Sequence, residues 1–588
     1  MIVSLATFPG SGSMTNAEIA AVFEEVADLL EFQGANPFRI RAYRNGARAI
    51  HDLAEPIAEL LADEDAELTG IPGIGKDLAE KAATLLRTGS LPMLEELLAQ
   101  IPESVLAMLR VPGLGPKRAA MIYRELGVKN LDALREACQS HRVSQLKGFG
   151  EKTEATILQG IDLAAQADQR IYWAEADQVA SLLREHMAEC RNIEEMEFAG
   201  SYRRGKDTVG DLDLLVVAKH SDAVMTRFGG FPNIAQILVQ GETKMSVRLA
   251  SKLQVDLRVV PAESFGAALQ YFTGSKEHNV VLRGRAKDLG LKINEYGVFR
   301  GEKQVAGQTE ADVYAAVGLP WIPPELREAR REFEWAEAGE LPTLIEACDL
   351  RGDLHMHSTW SDGAATIEEM AHAARQRGLK YIAMTDHSKR ATIANGLTAD
   401  RLLKQFAEID RLNSRMEGIT VLKGVEVDIL EAGGLDIEDD VLAQADWVVA
   451  SIHFGQNQPR ERITQRVIGA LDNPHVDAIA HPTGRLINRR NAYEIDLDAV
   501  LKTARDRGKF MELNAHPARL DLDDVACAAA KHYGVPIVIS SDAHNTQGLD
   551  VIRFGILQAR RGGLTKNDVA NARTWPQLKK LLEQRPPK

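Results

Sequence analysis

Apolar positions recur along this chain with two periods, and the change between them marks where one architecture gives way to another. From Ile19 through Val22, Phe23, Val26, Leu29 and Leu30 the spacing is helical. One face of a helix capped by Thr15 or Asn16 is therefore expected to pack inward. Farther on, short apolar runs take over, at Leu214–Val217 and at Leu253–Val260. These read as strands, in which residues i and i+2 share a face. After Asp349, strand-like runs alternate with helical stretches at 354–357, 381–387, 421–426, 447–453, 478–481, 510–514 and 536–544. Such alternation predicts a parallel sheet, and seven strands of this kind predict a barrel. Between the two regions, Gly318-Leu-Pro-Trp-Ile-Pro-Pro and a highly charged stretch from Glu325 to Glu340 mark a domain boundary.

Composition narrows this picture. A chain of 588 residues holds several domains. No apolar run is long enough to cross a bilayer. Met1 to Gly12 lack a basic start and an apolar core, so no secretory signal is expected, and Met14 reads as the more natural start. The cysteines Cys138, Cys190, Cys348 and Cys527 are far apart without metal spacing, which fits a reducing cytoplasm. A net charge of −14 argues against a protein that coats DNA indiscriminately. It leaves room for a DNA enzyme with a local basic surface.

The helical region carries two features that suit a phosphate backbone. Arg39, Arg41, Arg44 and Arg48 with Tyr43 make a basic helix bearing an aromatic. Gly73-Ile-Gly75, Gly113-Leu-Gly115 and Gly148-Phe-Gly150 each form a Gly-apolar-Gly turn ahead of a helix. Glycines there allow backbone N–H groups to approach an anion at the helix N-terminus. The repeated pattern resembles the helix-hairpin-helix motif, which binds DNA without reading its sequence. After the first turn, Lys81 falls where polymerase beta-like enzymes carry a lyase lysine, supported by Tyr43 and Arg39. Asp77 stands where that family has a phosphate-contacting lysine.

The paired carboxylates come next. Gly200-Ser-Tyr-Arg-Arg-Gly is followed by Gly210-Asp-Leu-Asp213 at the head of a strand. Asp211 and Asp213 therefore project to one face, and Asp256 lies in a second strand-like run. Carboxylates beside a phosphate-binding turn suit two divalent ions that stabilise displacement at phosphorus. The region resembles the nucleotidyltransferase superfamily, and within it the family X DNA polymerases, from about residue 16 to 320. That resemblance implies Mg²⁺ or Mn²⁺ on Asp211, Asp213 and Asp256, with Asp256 accepting the primer 3′-hydroxyl proton. It implies that Gly200, Ser201, Arg204, Gly210 and Arg170 hold the triphosphate. It assigns Tyr271, Phe272 and Gly274 to the sugar pocket, and Asn279 and Arg283 to the minor-groove edges of the nucleotide and template. Gln254 and Lys276 depart from the family, replacing an arginine that orients the catalytic aspartate and an acidic residue beside the base.

Ten of the fifteen histidines follow residue 350, most at strand ends. Polar groups at the carboxyl ends of barrel strands gather at one mouth. His, Asp and Glu together suit Zn²⁺ or Mn²⁺. The order resembles the PHP (polymerase and histidinol phosphatase) domain, with a ligand set of His355, His357, Asp362, His387, Glu426, His453, His481, Asp542 and His544, for up to three ions. Asp362 also fits a simple Ser-Asp-Gly turn.

The expectation is a multidomain chain: a helix-hairpin-helix lyase-like domain (14–95), a second helix-hairpin-helix subdomain (96–165), an α+β nucleotidyltransferase palm (166–270), a nucleotide-selection subdomain (271–320), a linker (321–348) and a distorted (βα)7 PHP barrel (349–588). By resemblance to bacterial family X polymerases carrying this barrel, it is read as a cytoplasmic, nucleoid-associated monomer. It would fill gapped or nicked DNA from deoxynucleoside triphosphates. The barrel would act as a Mn²⁺-dependent 3′–5′ exonuclease, with cutting at abasic sites as a further activity of the same pocket. The rivals are a PHP-type small-molecule phosphatase and a DNA-end-binding scaffold with idle sites.

Overall fold

The computed structural model describes residues 14, 16–51, 57, 73–101, 103–109, 111, 114–167 and 170–583. Thr15, residues 68–72 and Gly113 lie outside this set. The chain divides into two compact units that part between Glu340 and Leu341, the short segment Asn488–Arg490 being grouped with the first.

The first unit begins with helices. Asn16–Gln33 and Pro37–His51 pack together through Ile19, Phe23, Val26, Ala47 and Ile50, all buried. The turn at Gly73–Gly75 ends in the helix Lys76–Thr88, which buries Leu78, Ala82 and Leu85 against the same core. Gly115 and Gly150 stand immediately before the helices Pro116–Leu126 and Glu151–Ala167. Gly73 and Gly148 take left-handed backbone angles, with φ of +95° and +85°. Helices thus begin directly after Gly75, Gly115 and Gly150, as the turns predict.

A five-stranded sheet follows, in the order Ile193–Phe198, Asp211–Ala218, Gln254–Val260, Lys244–Leu249, Ile234–Gln240. The Asp211 and Gln254 strands run parallel, in a register that sets Asp213 opposite Asp256 and Asp211 opposite Gln254. Leu212, Leu214, Val216, Val255 and Leu257 fill the core below, so the alternation that buries them turns the aspartates to the other face. The helices Phe265–Thr273 and Lys276–Asp288 and a three-stranded sheet at 292–306 complete this part.

The second unit is a seven-stranded parallel sheet in strict sequence order: Gly352–Asp353, Tyr381–Met384, Thr420–Asp428, Trp447–Ser451, Ala478–Ile479, Phe510–Asn514, Ile537–Ser540. The strands are buried on both faces, as expected where helices cover a parallel sheet. The chain after the last strand returns to the first. Asp542 N donates to His355 O at 2.9 Å and His357 N to Ala543 O at 2.8 Å. This contact brings the first and last thirds of the histidine set together.

Candidate active sites

In the sheet of the first unit, Gly200 opens a short helical turn over the aspartates. Its φ is +66°, and a Cβ there would stand 2.5 Å from Asp213 Oδ2. Ser201, within that turn, and Gly210, just ahead of the Asp211 strand, are half-buried. Burial pushes the Asp213 carboxyl up to about 7, helped by the charges of Asp211 and Asp256 and opposed by Arg258 and Arg204. Asp211 is raised in the same way, by burial and then by Asp256, while Arg170 pulls it down. Burial and like charge of this kind at Asp211 and Asp213 are what a bound cation relieves. Gln254 Nε2 lies 3.2 Å from both oxygens of Asp256, so the departure at this position places an amide donor against the aspartate.

Basic groups beside the aspartates are held by partners. Arg170 donates to Thr208 Oγ1 and to the Thr208 carbonyl, at 3.0 and 2.5 Å. Arg204 donates to Glu328 Oε1 at 3.1 Å and to the Thr273 carbonyl. Gly274, at φ +69°, lies where a Cβ would come within 3.2 Å of Arg204 Nη1. The Phe272 ring lies under Arg258, 4.5 Å from its guanidinium carbon, and edge-on to Tyr271. Asn279 is buried; it donates to the Tyr271 carbonyl at 2.8 Å and accepts from Gln270 Nε2 at 2.7 Å. Arg283, one turn on, is exposed.

In the helical part, Lys81 pairs with Asp77 and lies 5.8 Å from the centre of the Tyr43 ring. Tyr43 itself is only 1% exposed, packed edge-on against Phe23 and donating to Met93 Sδ. This corrects the expectation of an aromatic displayed on a basic helix: the ring belongs to the core. Arg39 is exposed beside the same Met93 sulfur. Arg44 is paired with Asp28 and Glu31 at 2.8 and 2.6 Å. Those acids come from the preceding helix, which the local run of arginines could not reveal.

The barrel mouth gathers the second set. Three groups of side chains have ligand atoms within 4.8 Å of one another: His357, Asp362, His387 and His544; His355, His357 and Asp542; His387, Glu426 and His453. His481 joins them through Glu426 Oε1 at 3.1 Å. Asp362 is therefore drawn in by three histidines and is more than a turn residue. No such group forms around the aspartates of the first unit, among the described residues.

Fit to a cation can be tested on the side chains themselves. His355 Nε2, His357 Nδ1, His387 Nδ1 and Glu426 Oε2 are buried without a hydrogen-bond partner. Glu426 Oε2 and His387 Nδ1 are 2.7 Å apart, yet not in hydrogen-bonding geometry. Buried polar atoms left this way are costly unless something else satisfies them. Burial, with His544 and His387 alongside, holds His357 down to about 3, in the neutral form that binds metals. Glu426 lies well below the usual carboxylate range: burial opposes this, and His453, His387 and His355 outweigh it. His481 and Asp542 take positive backbone φ angles, 29° and 55°, which non-glycine residues adopt in only a few per cent of cases. The donors fit divalent metal.

Sequence reasoning missed the supports of these ligands. Glu512 accepts from His355 Nδ1 at 2.6 Å and from the His481 backbone N–H at 2.7 Å. Asp428 lies 3.2 Å from His453 Nδ1, and Asn514 donates to Asp542 Oδ2 at 2.9 Å. Such partners fix ring orientation and tautomer. For Glu512 the available signal was an acidic residue inside an otherwise apolar run. His372 pairs with Arg375, and His516 Nδ1 accepts from Ala518 N in a local turn; neither enters the ligand groups.

Family models match the chain in order: a Helix-hairpin-helix domain over 14–91, a SAM-like Helix-hairpin-helix tandem over 105–162, a DNA polymerase beta palm over 170–265, a DNA polymerase beta thumb over 268–328 and a PHP domain over 353–516. Fold and sites thus define a polymerase core of the beta class followed by a PHP barrel. Asp542 and His544 lie beyond the PHP match and are supplied by the return of the last strand to the first. The chain is 42% identical over 579 residues to a DNA polymerase/3′-5′ exonuclease PolX of Bacillus subtilis (strain 168), covering 97% of this chain and 100% of that protein. It belongs to this PolX family of PHP-containing family X polymerases. Over 37% of its length the chain is 35% identical to a probable phosphatase of Thermoanaerobacter sp. (strain X514), covering 89% of that protein. A probable phosphatase of Acetivibrio thermocellus is 34% identical over 33% of this chain and 78% of its own length.

Proposed function

We propose that this chain is a repair polymerase that fills short DNA gaps at the sheet of its first unit and trims 3′ ends at its barrel. The observation that carries the reading is the pair of separate carboxylate and imidazole constellations in one chain behind helix-hairpin-helix turns. The family relation to a named polymerase/exonuclease supports it.

Asp211, Asp213 and Asp256 would hold Mg²⁺ or Mn²⁺, which supplies positive charge to a triphosphate and to the displacement at phosphorus. The chain's own residues do the rest. Gly200, Ser201 and Gly210 offer backbone and hydroxyl groups to the phosphates, and Arg204 and Arg170 offer charge. The Asp256 carboxylate accepts the proton of the primer 3′-hydroxyl, oriented by Gln254 Nε2. Tyr271 and Phe272 limit space at the sugar, while Asn279 and Arg283 face the base pair. In the barrel, the nine-residue set would hold Mn²⁺, Zn²⁺ or both, up to three ions, and Glu512 and Asp428 keep the His355 and His453 rings aimed. Substrates would be gapped or nicked DNA and deoxynucleoside triphosphates, handled by a monomer close to the nucleoid.

The deciding experiment uses a 5′-labelled gapped primer with Mn²⁺, with and without deoxynucleotides. An Asp211→Ala/Asp213→Ala variant should lose extension and keep shortening; His355→Ala/His357→Ala should do the reverse. Loss of both activities from either variant refutes two separate sites. Lyase action at Lys81 is a further part of the proposal. Borohydride trapping on nicked abasic DNA should vanish in Lys81→Ala, and undiminished trapping rules Lys81 out. The partial similarity of the chain to probable phosphatases supports one alternative, hydrolysis of small phosphate monoesters at the barrel. Turnover of histidinol phosphate exceeding that of 3′-recessed DNA would favour it.

A further inference from the structure

Ile393 is the most exposed large apolar side chain among the described residues, 98% accessible against 77% for the next, Phe38. It stands in the loop that leaves the barrel at His387 and comes back to it. Leu397 N donates to His387 O at 2.7 Å, closing the loop on a residue of the metal-binding set. The tip is six residues from His387, so it can be no more than about 20 Å away.

The loop is braced. Ser388 Oγ donates to Asp436 Oδ1 at 2.7 Å, and Arg390 N donates to Asp436 Oδ2 at 2.8 Å. Thr392–Ala394 form a single tight turn, and Arg401 Nη1 donates to the Asn395 carbonyl at 2.7 Å. A Cβ on Gly396 would lie 1.9 Å from the Ser388 carbonyl oxygen, so the two arms of the loop touch. Held this way, the backbone cannot fold the isoleucine inward. Leaving it in water forgoes roughly 1.5–3 kcal/mol of burial.

The surroundings suit nucleic acid. Lys389 and Arg390 flank the tip; each is paired with an exposed acid, Glu438 at 2.9 Å and Glu431 at 2.6 Å. Exposed pairs of this kind are weak and yield readily to a phosphate. Arg390 also lies over Phe454, 4.7 Å from the ring centre, and Phe454 directly follows His453 of the metal-binding set. An open cavity of about 430 Å³ lies against the loop, lined by Lys389 and Arg390, by the acids Asp436 and Glu438 that pair with this loop, and by Leu430 and Ile437.

Three of the candidate ligands, His355, His357 and Glu426, are at most 1% exposed and form the floor of the group, while Asp362, His387, His453, Asp542 and His544 are reached from solvent. A single strand, slimmer than a duplex, brings its phosphodiester to those buried side chains more readily than a paired end does. Apolar side chains presented to DNA act by inserting between base steps and unstacking them. We propose that Ile393 is a wedge that parts the terminal base pair of duplex DNA, so that the 3′ strand enters the barrel mouth alone. Lys389 and Arg390 then hold the phosphates of the separated strand. This rests on the 3′-end-trimming reading of the barrel, and the two can fail separately.

The test uses the full chain with Mn²⁺ and one 5′-labelled strand, presented single-stranded, blunt-ended in duplex, or with a mismatched 3′ end. Ile393→Ser should slow shortening of the paired end roughly tenfold. It should leave the single strand unchanged and the mismatched end nearly so, and Ile393→Leu should restore the paired-end rate. Equal loss on all three substrates, or no loss on the paired one, overturns the wedge. A second readout needs no catalysis. With EDTA present, 2-aminopurine next to the 3′ end of a blunt duplex should brighten on adding the wild-type chain and stay dim with Ile393→Ser. Equal brightening by both overturns the wedge too. If the wild-type chain brightens the probe yet shortens no DNA in Mn²⁺, the trimming reading fails while the wedge stands.

Discussion

A methyl group at position 200 has nowhere to go. Gly200 adopts a left-handed φ, and Asp213 Oδ2 already occupies the place of a Cβ. Gly200→Ala would both strain the backbone, by about 1–2 kcal/mol, and push Asp213 out of line with Asp256. The expected result is a fall in primer extension of at least about a hundredfold. Shortening by the barrel should be unaffected. Extension rates measured beside exonuclease rates on the same preparation check this, and near-normal extension would contradict the placement of Gly200 over the aspartates.

At the scale of elements, a buried ionic knot ties the Gly200 turn to the segment after it. Glu310, at the start of the helix Glu310–Ala316, accepts from Arg203 and Arg327 at 2.8 and 2.6 Å, and from Trp321 Nε1 at 2.9 Å. Burial alone would raise its carboxyl; the charge of Arg327 and hydrogen bonds from Arg203 and Arg327 overcome this and hold it down at about 2. The folded-state value thus lies below the unfolded one. The stabilisation is fully present above about pH 4.5 and is lost as pH falls toward 2. Removing one partner of a buried pair costs about 3–5 kcal/mol. Glu310→Gln should therefore lower the unfolding transition of the first unit markedly at pH 7. The gap from wild type should narrow as pH drops below about 4.5. Thermal unfolding across pH 3–7 measures this; a gap that stays constant would exclude the ionic contribution.

On the scale of the whole molecule, divalent metal should act on one unit far more than on the other. The barrel holds four buried ligand atoms without partners, drawn from its first three strands and their connections. A cation binding there only in the folded state stabilises by about 2.7 kcal/mol at a hundredfold excess over its dissociation constant. Calorimetry should show two transitions after chelation, with the barrel's moving up on addition of Mn²⁺. The His355→Ala/His357→Ala variant should lose that response. An upward shift of the same size in the variant would place the metal elsewhere.

Much of this protein is legible in its residues alone. The alternation at Asp211–Leu212–Asp213 commits both carboxylates to one face because a strand has only two faces, and the apolar run behind them leaves no choice of which is buried. Seven strand-and-helix units foretell the parallel barrel, and their polar ends foretell that histidines and carboxylates gather at one mouth. What requires the folded chain is everything that depends on partners distant in sequence. Tyr43 looks like a surface aromatic because its neighbours are arginines, but Phe23 and Met93 enclose it. Asp362 reads equally well as a turn until His357, His387 and His544 close around it. Glu512 and Asp428 carry no motif, because a residue that orients a ligand is defined by which ring it touches. Local pattern determines which face a side chain takes. Only closure of the barrel, joining residue 355 to residue 542, decides what it meets there.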